Sequence, residues 1–241
     1  MKRLLVGARA VTEALRTQPD RISVVYAAEH ASGRARALCS QAQRQGVRVQ
    51  SVPRLRLDTL ARGLNHQGLI ALGGDYPYRN LSELLSELPA RPLLVALDQV
   101  SDPHNFGAIV RSAVAFGADG LITLRDRSSP VTPVVVRSSA GATEHAKIAR
   151  VTNLARTLTE LRERGMQVLG LDPDATQDLE SAEYPLEGRV LVVGAEGHGM
   201  RRLVRQRCDL LCRIELSGPL GALNAAVAAA VALYISQRER R

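Results

Sequence analysis

Apolar residues recur along this chain at two spacings, and the switch between them marks out its elements. Between positions 9 and 18, Val11, Ala14 and Leu15 fall on one face of a 3.6-residue period, which predicts an amphipathic helix. Further helices are predicted over 35–45, closed by Gly46, and over 57–64. Short apolar runs at 22–27, 47–52 and 68–72 predict strands among them, so residues 1–75 read as a small α/β unit. A helix-like stretch at 81–88 follows, flanked by Pro77, Pro89 and Pro92, and the prolines predict a linker over 76–91.

From 92 to 241 the alternation is regular. Leu93–Leu97 is an unbroken apolar run, the mark of a strand in a parallel sheet covered on both faces. A helix over 105–116, a strand over 120–124 and an irregular stretch over 128–141 come next. Strands at 146–151, 167–171, 190–193 and 211–216 then alternate with helices at 154–164 and 201–207, before an alanine-rich helix over 222–237. The pattern predicts a doubly wound α/β domain. There is no internal repeat.

Composition narrows the class. Hydrophobic residues make up 45% and charged residues 23% of 241 positions, as in an ordinary globular protein. With two Phe, five Tyr and no Trp, the core must be built of Leu, Val and Ala. The longest apolar stretch, 225–235, is too short for a bilayer span, and no leader peptide or membrane attachment is expected. Cys39, Cys208 and Cys212 lack zinc-like spacing and are expected to be reduced cytoplasmic thiols. The five histidines show no metal spacing, so no metal is expected. The net charge is +8, of which residues 1–90 carry +6, with 13 Lys+Arg against 7 Asp+Glu. Thirty of the 32 cationic residues are arginines, whose forked donors suit phosphate. A nucleic-acid partner and a solvated basic surface both fit this balance.

Three short blocks carry the candidate chemistry: 102–107 with Arg111 beyond it, 194–200, and 218–224. Each follows a strand-like run and opens a helix-like one, so the three converge where open α/β sheets bind ligands. No GxGxxG follows the first strand of that domain, and the sequence contains neither a P-loop nor a GxSxG elbow.

In these blocks the chain resembles the SpoU (TrmH) family of RNA ribose 2′-O-methyltransferases. Residues 97–113, with Asp102-Pro103-His104-Asn105-Phe106-Gly107 and Arg111, are similar to its motif 1. Gly194-Ala195-Glu196-Gly197-His198-Gly199-Met200 resembles motif 2, and Gly221-Ala222-Leu223-Asn224 resembles motif 3. The resemblance extends to Ser139-Ala140-Gly141-Ala142, to Gly7, Ala10, Val11, Ala14 and Leu15, and to His66-Gln67-Gly68. It implies an N-terminal L30e-like RNA-binding domain and a C-terminal SPOUT domain with a deep trefoil knot, which dimerises through the knot region. It further implies S-adenosyl-L-methionine as cofactor, contacted by Gly194, Glu196, Gly199, Ile214, Leu216 and Leu223. Arg111, Asn105, Glu196 and Asn224 become the catalytic candidates. RNA is the implied substrate, with a guanosine of 23S rRNA favoured over tRNA, and a homodimer is expected to bury alanine-rich surface of 222–237.

Bland readings stand beside these. Asn105 could cap a helix, Arg111 could be a surface arginine, Glu196 could serve its turn, and Asn224 could cap the last helix. Arg111 is open as proton acceptor or as phosphate clamp; guanidinium groups keep their proton at neutral pH, which favours the clamp. Ser139 has a weak claim to substrate contact. Motif 3 usually carries two serines where this chain has Ala222 and Ala226, so a non-catalytic RNA-binding relative is the alternative function.

Overall fold

The structure, a computed structural model, describes residues 3–185, 187–219 and 221–240, which form two compact units. The first unit is built from β1 (Arg3–Val6), α1 (Ala8–Thr17), β2 (Ile22–Ala28), α2 (Gly33–Arg44), β3 (Val49–Val52), α3 (Arg54–Ala61) and β4 (Leu69–Gly73). Its sheet runs β1-β4-β2-β3, with β2 and β3 parallel and β4 antiparallel to both its neighbours. Val11, Ala14 and Leu15 of α1 are fully buried against Leu5, Val25 and Leu69, as the spacing predicts. Ser32 caps α2 by accepting from the Ala35 N–H at 3.4 Å. Strand β1 is absent from the sequence reading, because its apolar run, Leu4 to Val6, is only three residues long.

The second unit opens with α4 (Leu81–Ser86), β5 (Leu93–Leu97), α5 (Pro103–Ala115) and β6 (Gly120–Leu124). The chain then forms α6 (Pro133–Ser138), which belongs to the first unit, and returns through β7 (Ile148–Val151), α7 (Leu154–Glu163) and β8 (Gln167–Leu171). It ends with β9 (Gln177–Asp178), β10 (Arg189–Val193), α8 (Arg202–Arg205), β11 (Leu210–Arg213) and α9 (Ala225–Arg240). All seven strands are parallel, in the order β7-β6-β5-β10-β8-β11-β9. β5, β6 and β10 are buried along their whole length, which explains why apolar residues dominate them. Arg189 opens β10 in full burial, and its five N–H donors meet Gln167 Oε1, Ser236 Oγ, Glu239 Oε2 and the carbonyls of Ala182 and Glu183. It thereby fastens the end of α9 to the sheet.

The structure divides the chain differently from the sequence reading at two places. Within the span expected as a linker, α4 carries Leu84 into the core of the second unit, beside Leu94 and Ile122. The helix starts cleanly because Asn80 and Glu83 form a capping box. The stretch expected to be irregular contains α6, and residues 131–145 pack into the first unit. Val136 joins the core around Leu5 and Leu69, a burial worth about 1.5–3 kcal/mol. Glu144 meets Arg3 at 3.0 Å with both side chains out of solvent, and the Tyr76 hydroxyl donates to the Thr143 carbonyl at 3.0 Å. Two ends are also corrected: β11 stops at Arg213, three residues before the predicted end, and α9 begins at Ala225 rather than 222.

Candidate functional site

In an all-parallel sheet every strand ends on the same edge, and the three blocks leave that edge of the second unit. The first follows β5. Asp102 caps α5 by accepting from the His104 N–H at 2.9 Å, so Asn105 lies inside the first turn and the capping role falls to Asp102. Buried there, Asn105 donates through Nδ2 to Glu196 Oε2 at 2.8 Å. Asn224 donates to Asn105 Oδ1 at 3.0 Å and to Glu196 Oε1 at 3.3 Å. Its own Oδ1 accepts from the Ala226 N–H at 2.9 Å and its carbonyl from the Ala228 N–H at 2.9 Å. Asn224 therefore caps α9 and joins the carboxamide–carboxylate cluster at once. Three residues from three separate blocks, up to 119 positions apart, meet in one network.

The second block owes its shape to glycines. Ala195 and Gly199 exchange both backbone hydrogen bonds, at 3.0 and 2.9 Å, pinching Glu196-Gly197-His198 into a tight loop. Gly197 and Gly199 have φ of 81° and 63°, the left-handed region that favours glycine. A Cβ on Gly194 would stand 2.3 Å from the Gly199 carbonyl carbon, so only glycine lets the loop close on its own stem. The far end of the loop is clamped by Asp98. Its buried carboxylate accepts from the Arg201 backbone N–H at 2.8 Å and from Arg201 Nε at 2.8 Å. The Asp98 N–H in turn donates to the Val193 carbonyl at 2.9 Å. Asp98 and Arg201 have no role in the sequence reading. The available signal was an acid directly after an apolar strand, where a fully buried carboxylate needs a partner.

A cleft of about 520 Å³ opens beside this cluster. Gly194, Glu196, Gly199, Ile214, Leu216 and Leu223 all line it, and so does Ala222, which supplies no hydroxyl. The early end of β11 turns Ile214 to Leu216 out of the ladder and into the wall. Asp172 and Glu215 line it too and lie outside the sequence reading. Asp172 is paired with Arg205 at 2.8 Å and the lining Arg213 with Asp178 at 2.7 Å, while neither Glu196 nor Glu215 forms an ion pair among the described residues. The lining is mostly apolar, and Glu196 and Glu215, outside any ion pair among the described residues, leave its rim negative on balance, which suits an organic ligand carrying positive charge.

Arg111 stands apart. It lies six residues beyond Asn105 on α5, about 120° around the helix at 3.6 residues per turn. It is exposed and makes no hydrogen bond or ion pair with the described residues. Ser139 is buried in the first unit, its hydroxyl donating to the Val136 carbonyl at 2.9 Å, and is not part of the cleft. Among the described residues no group of His, Cys, Asp and Glu is placed to hold a metal. No described helix is long and apolar enough to cross a membrane.

Comparison with known proteins adds an independent line. A sequence model of the SpoU rRNA Methylase family matches residues 92–234, and one for RNA 2′-O ribose methyltransferase substrate binding matches residues 4–79. The 23S rRNA (guanosine-2′-O-)-methyltransferase RlmB of Bordetella pertussis is 40% identical over 240 residues, covering 99% of this chain and 98% of that protein. The Putative TrmH family tRNA/rRNA methyltransferase YacO of Bacillus subtilis is 39% identical over 241 residues, covering 98% and 95%. Among solved structures, the SpoU methyltransferase AviRb from Streptomyces viridochromogenes, in complex with the cofactor AdoMet, aligns with a TM-score of 0.82 at 25% identity. That alignment covers 99% of this chain and 90% of AviRb.

Proposed function

This chain belongs to the SpoU rRNA methylase family, and from that premise we propose that it transfers a methyl group from S-adenosylmethionine to a ribose 2′-hydroxyl of RNA, at a guanosine of 23S rRNA. The observation that carries the reading is the Asn105–Glu196–Asn224 network at the edge of a negatively rimmed cleft. The cleft volume lies within the roughly 300–1,000 Å³ of small-molecule sites, and the lining fits the cofactor. Ile214, Leu216 and Leu223 offer an apolar slot, the glycine loop offers backbone donors and acceptors, and Glu196 and Glu215 complement a cation. When bound, the cofactor supplies an activated methyl on a sulfonium.

The protein has to align the ribose oxygen and accommodate its proton. Alignment can lower such a barrier by several kcal/mol, up to about 7–11 in the best cases. Asn105 and Asn224 hold the Glu196 carboxylate from both oxygens, so the loop presenting the cofactor wall is ordered before substrate arrives. Arg111, exposed and without an ion pair among the described residues, binds the phosphate of the target nucleotide and stabilises negative charge developing on the 2′-oxygen. The first unit, L30e-like in this reading, delivers the RNA. Its Arg34, Arg36, Arg44, Arg54 and Arg62 are exposed and form no ion pair among the described residues.

The second unit carries the SPOUT knot in this reading. Support comes from β10 lying between β5 and β8 in the sheet and from α9 packing on α5. The protein works as a homodimer. Ala226, Ala229 and Ala232 are already buried within the protomer, so the contact face of α9 shifts to the exposed Val227 and Tyr234. Its place of work follows its substrate, in the cytoplasm.

Incubating a 23S rRNA transcript with labelled cofactor tests the reading. Label must appear at a ribose 2′-oxygen, and its absence with retained RNA binding would favour the non-catalytic relative suggested by Ala222 and Ala226. Arg111→Ala is expected to lower turnover at least 100-fold, the scale of one lost electrostatic contact. Calorimetry should show cofactor affinity unchanged within twofold, and preserved turnover would remove Arg111 from the mechanism.

A further inference from the structure

The strand edge that holds the cleft carries a second feature beyond it. β6 runs out at Leu124 into Arg125-Asp126-Arg127, two strands from β10, hence roughly 10 Å along the sheet from the Glu196 loop. Arg125 and Arg127 are exposed, and neither side chain makes a hydrogen bond or ion pair among the described residues; Asp126 between them pairs with neither. From β7, the next strand outward, Arg150 stacks over the Tyr78 ring with its guanidinium carbon 4.9 Å from the centroid. The same guanidinium donates to the Arg125 carbonyl, and it forms no ion pair among the described residues. Elsewhere in this unit arginines are commonly paired with acids, as in Arg162–Asp209, Arg201–Asp98, Arg205–Asp172 and Arg240–Asp119. These four residues, Arg125, Asp126, Arg127 and Arg150, thus carry a net charge of +2 beside the cleft, with Arg125 and Arg127 open to solvent.

The loop bearing these cations is held. Ser129 is buried, and its N–H donates to the Val100 carbonyl at 3.0 Å, tying the loop after β6 to the turn after β5. Arg127 and, in that neighbouring turn, Gln99 both have φ of 60°, a conformation that few non-glycine residues adopt. Strained positions of this kind persist only where their surroundings over-determine them, and they cluster at functional sites. A solvated basic face would need neither the brace nor the strain.

We propose that Arg125 and Arg127, braced by Arg150, form a phosphate-binding rim that grips the RNA strand next to the target ribose. The proposal rests on the methyltransferase reading above and adds a contact that the catalytic unit itself makes with the RNA backbone. Guanidinium forks bind phosphate oxygens bidentately, and an arginine whose backbone is fixed loses less freedom on contact. Arg150 is a positioning residue: it holds the loop and touches no phosphate.

The test is Arg125→Ala/Arg127→Ala in the full chain, with the 23S rRNA transcript as probe. The RNA KM should rise about tenfold with turnover and cofactor affinity unchanged. The salt dependence of RNA binding, log K against log salt, should become shallower by about 1.4, the release expected for two phosphate contacts on single-stranded RNA. Arg125→Lys/Arg127→Lys should restore most of that slope. A double-alanine variant that melts like wild type and keeps the wild-type KM and slope overturns the rim while leaving the methyltransferase reading intact. Failure of the wild-type chain to methylate the transcript would overturn that reading, and the rim with it.

Discussion

Glu144 shows at the residue scale how burial and pairing compete. Its carboxyl is pushed above the ordinary glutamate range by burial, which outweighs the pull of the Arg3 guanidinium and the Thr143 hydroxyl. The folded chain therefore holds this proton more tightly than the unfolded one, whose glutamates titrate near 4.3. The stability this contributes is fully present below that value and is lost as pH rises through the folded pKa. Glu144→Gln, neutral at every pH, should flatten the fall in urea midpoint measured between pH 4.5 and 7. An unchanged slope would assign the dependence to another group. Cys208 follows the same physics: burial pushes its thiol up to about 12, so it should resist alkylation at pH 8 until the protein unfolds.

At the scale of elements, the loop between β10 and α8 depends on Gly194. Any side chain there meets the backbone of Gly199 and Met200, which cannot swing away as a flexible side chain would. Gly194→Ala should force the loop off its stem at a cost of about 1–3 kcal/mol, the range for overpacking. Cofactor affinity should fall more than stability does, because Glu196 leaves its place between Asn105 and Asn224. Calorimetric titration beside thermal melting separates the two, and cofactor affinity equal to wild type would mean the loop tolerates the change. The continuous apolar runs foretold the interiors of β5, β6 and β8, since strands covered on both faces hold few polar residues, buried Thr123 in β6 being one. The apolar pattern missed β1 and misjudged the ends of β11 and α9, where pairing partners and caps, rather than pattern, set the boundary.

On the scale of the whole molecule, the segment 131–145 belongs to the unit formed mainly by the first 77 residues, although it is embedded in the sequence of the other. Deleting residues 1–77 would therefore strip Val136 of its apolar cover and Glu144 of Arg3. Limited trypsinolysis with mass spectrometry should find such a truncated chain cut rapidly at Arg137, while the full chain resists. Equal resistance would show that the segment folds without its partners. A cleaner probe of RNA delivery is neutralisation of Arg34, Arg36, Arg44 and Arg54 to Gln, which leaves the core untouched. RNA affinity should drop steeply at low salt while cofactor binding stays constant.

The order of elements, the apolar strands and the three glycine-bearing blocks are set by local residue choices, so the sequence alone sufficed for the α/β class, the family and six of the residues that line the cleft, but not for Asp172 or Glu215. Which of those residues touch was decided by the tertiary fold. The Asn105–Glu196–Asn224 network spans 119 positions, the Asp98–Arg201 clamp 103, and the Arg3–Glu144 pair 141. Periodicity reports only which way a side chain faces along its own element; contact between distant polar groups depends on strand order and burial, and these exist only once the chain has closed on itself.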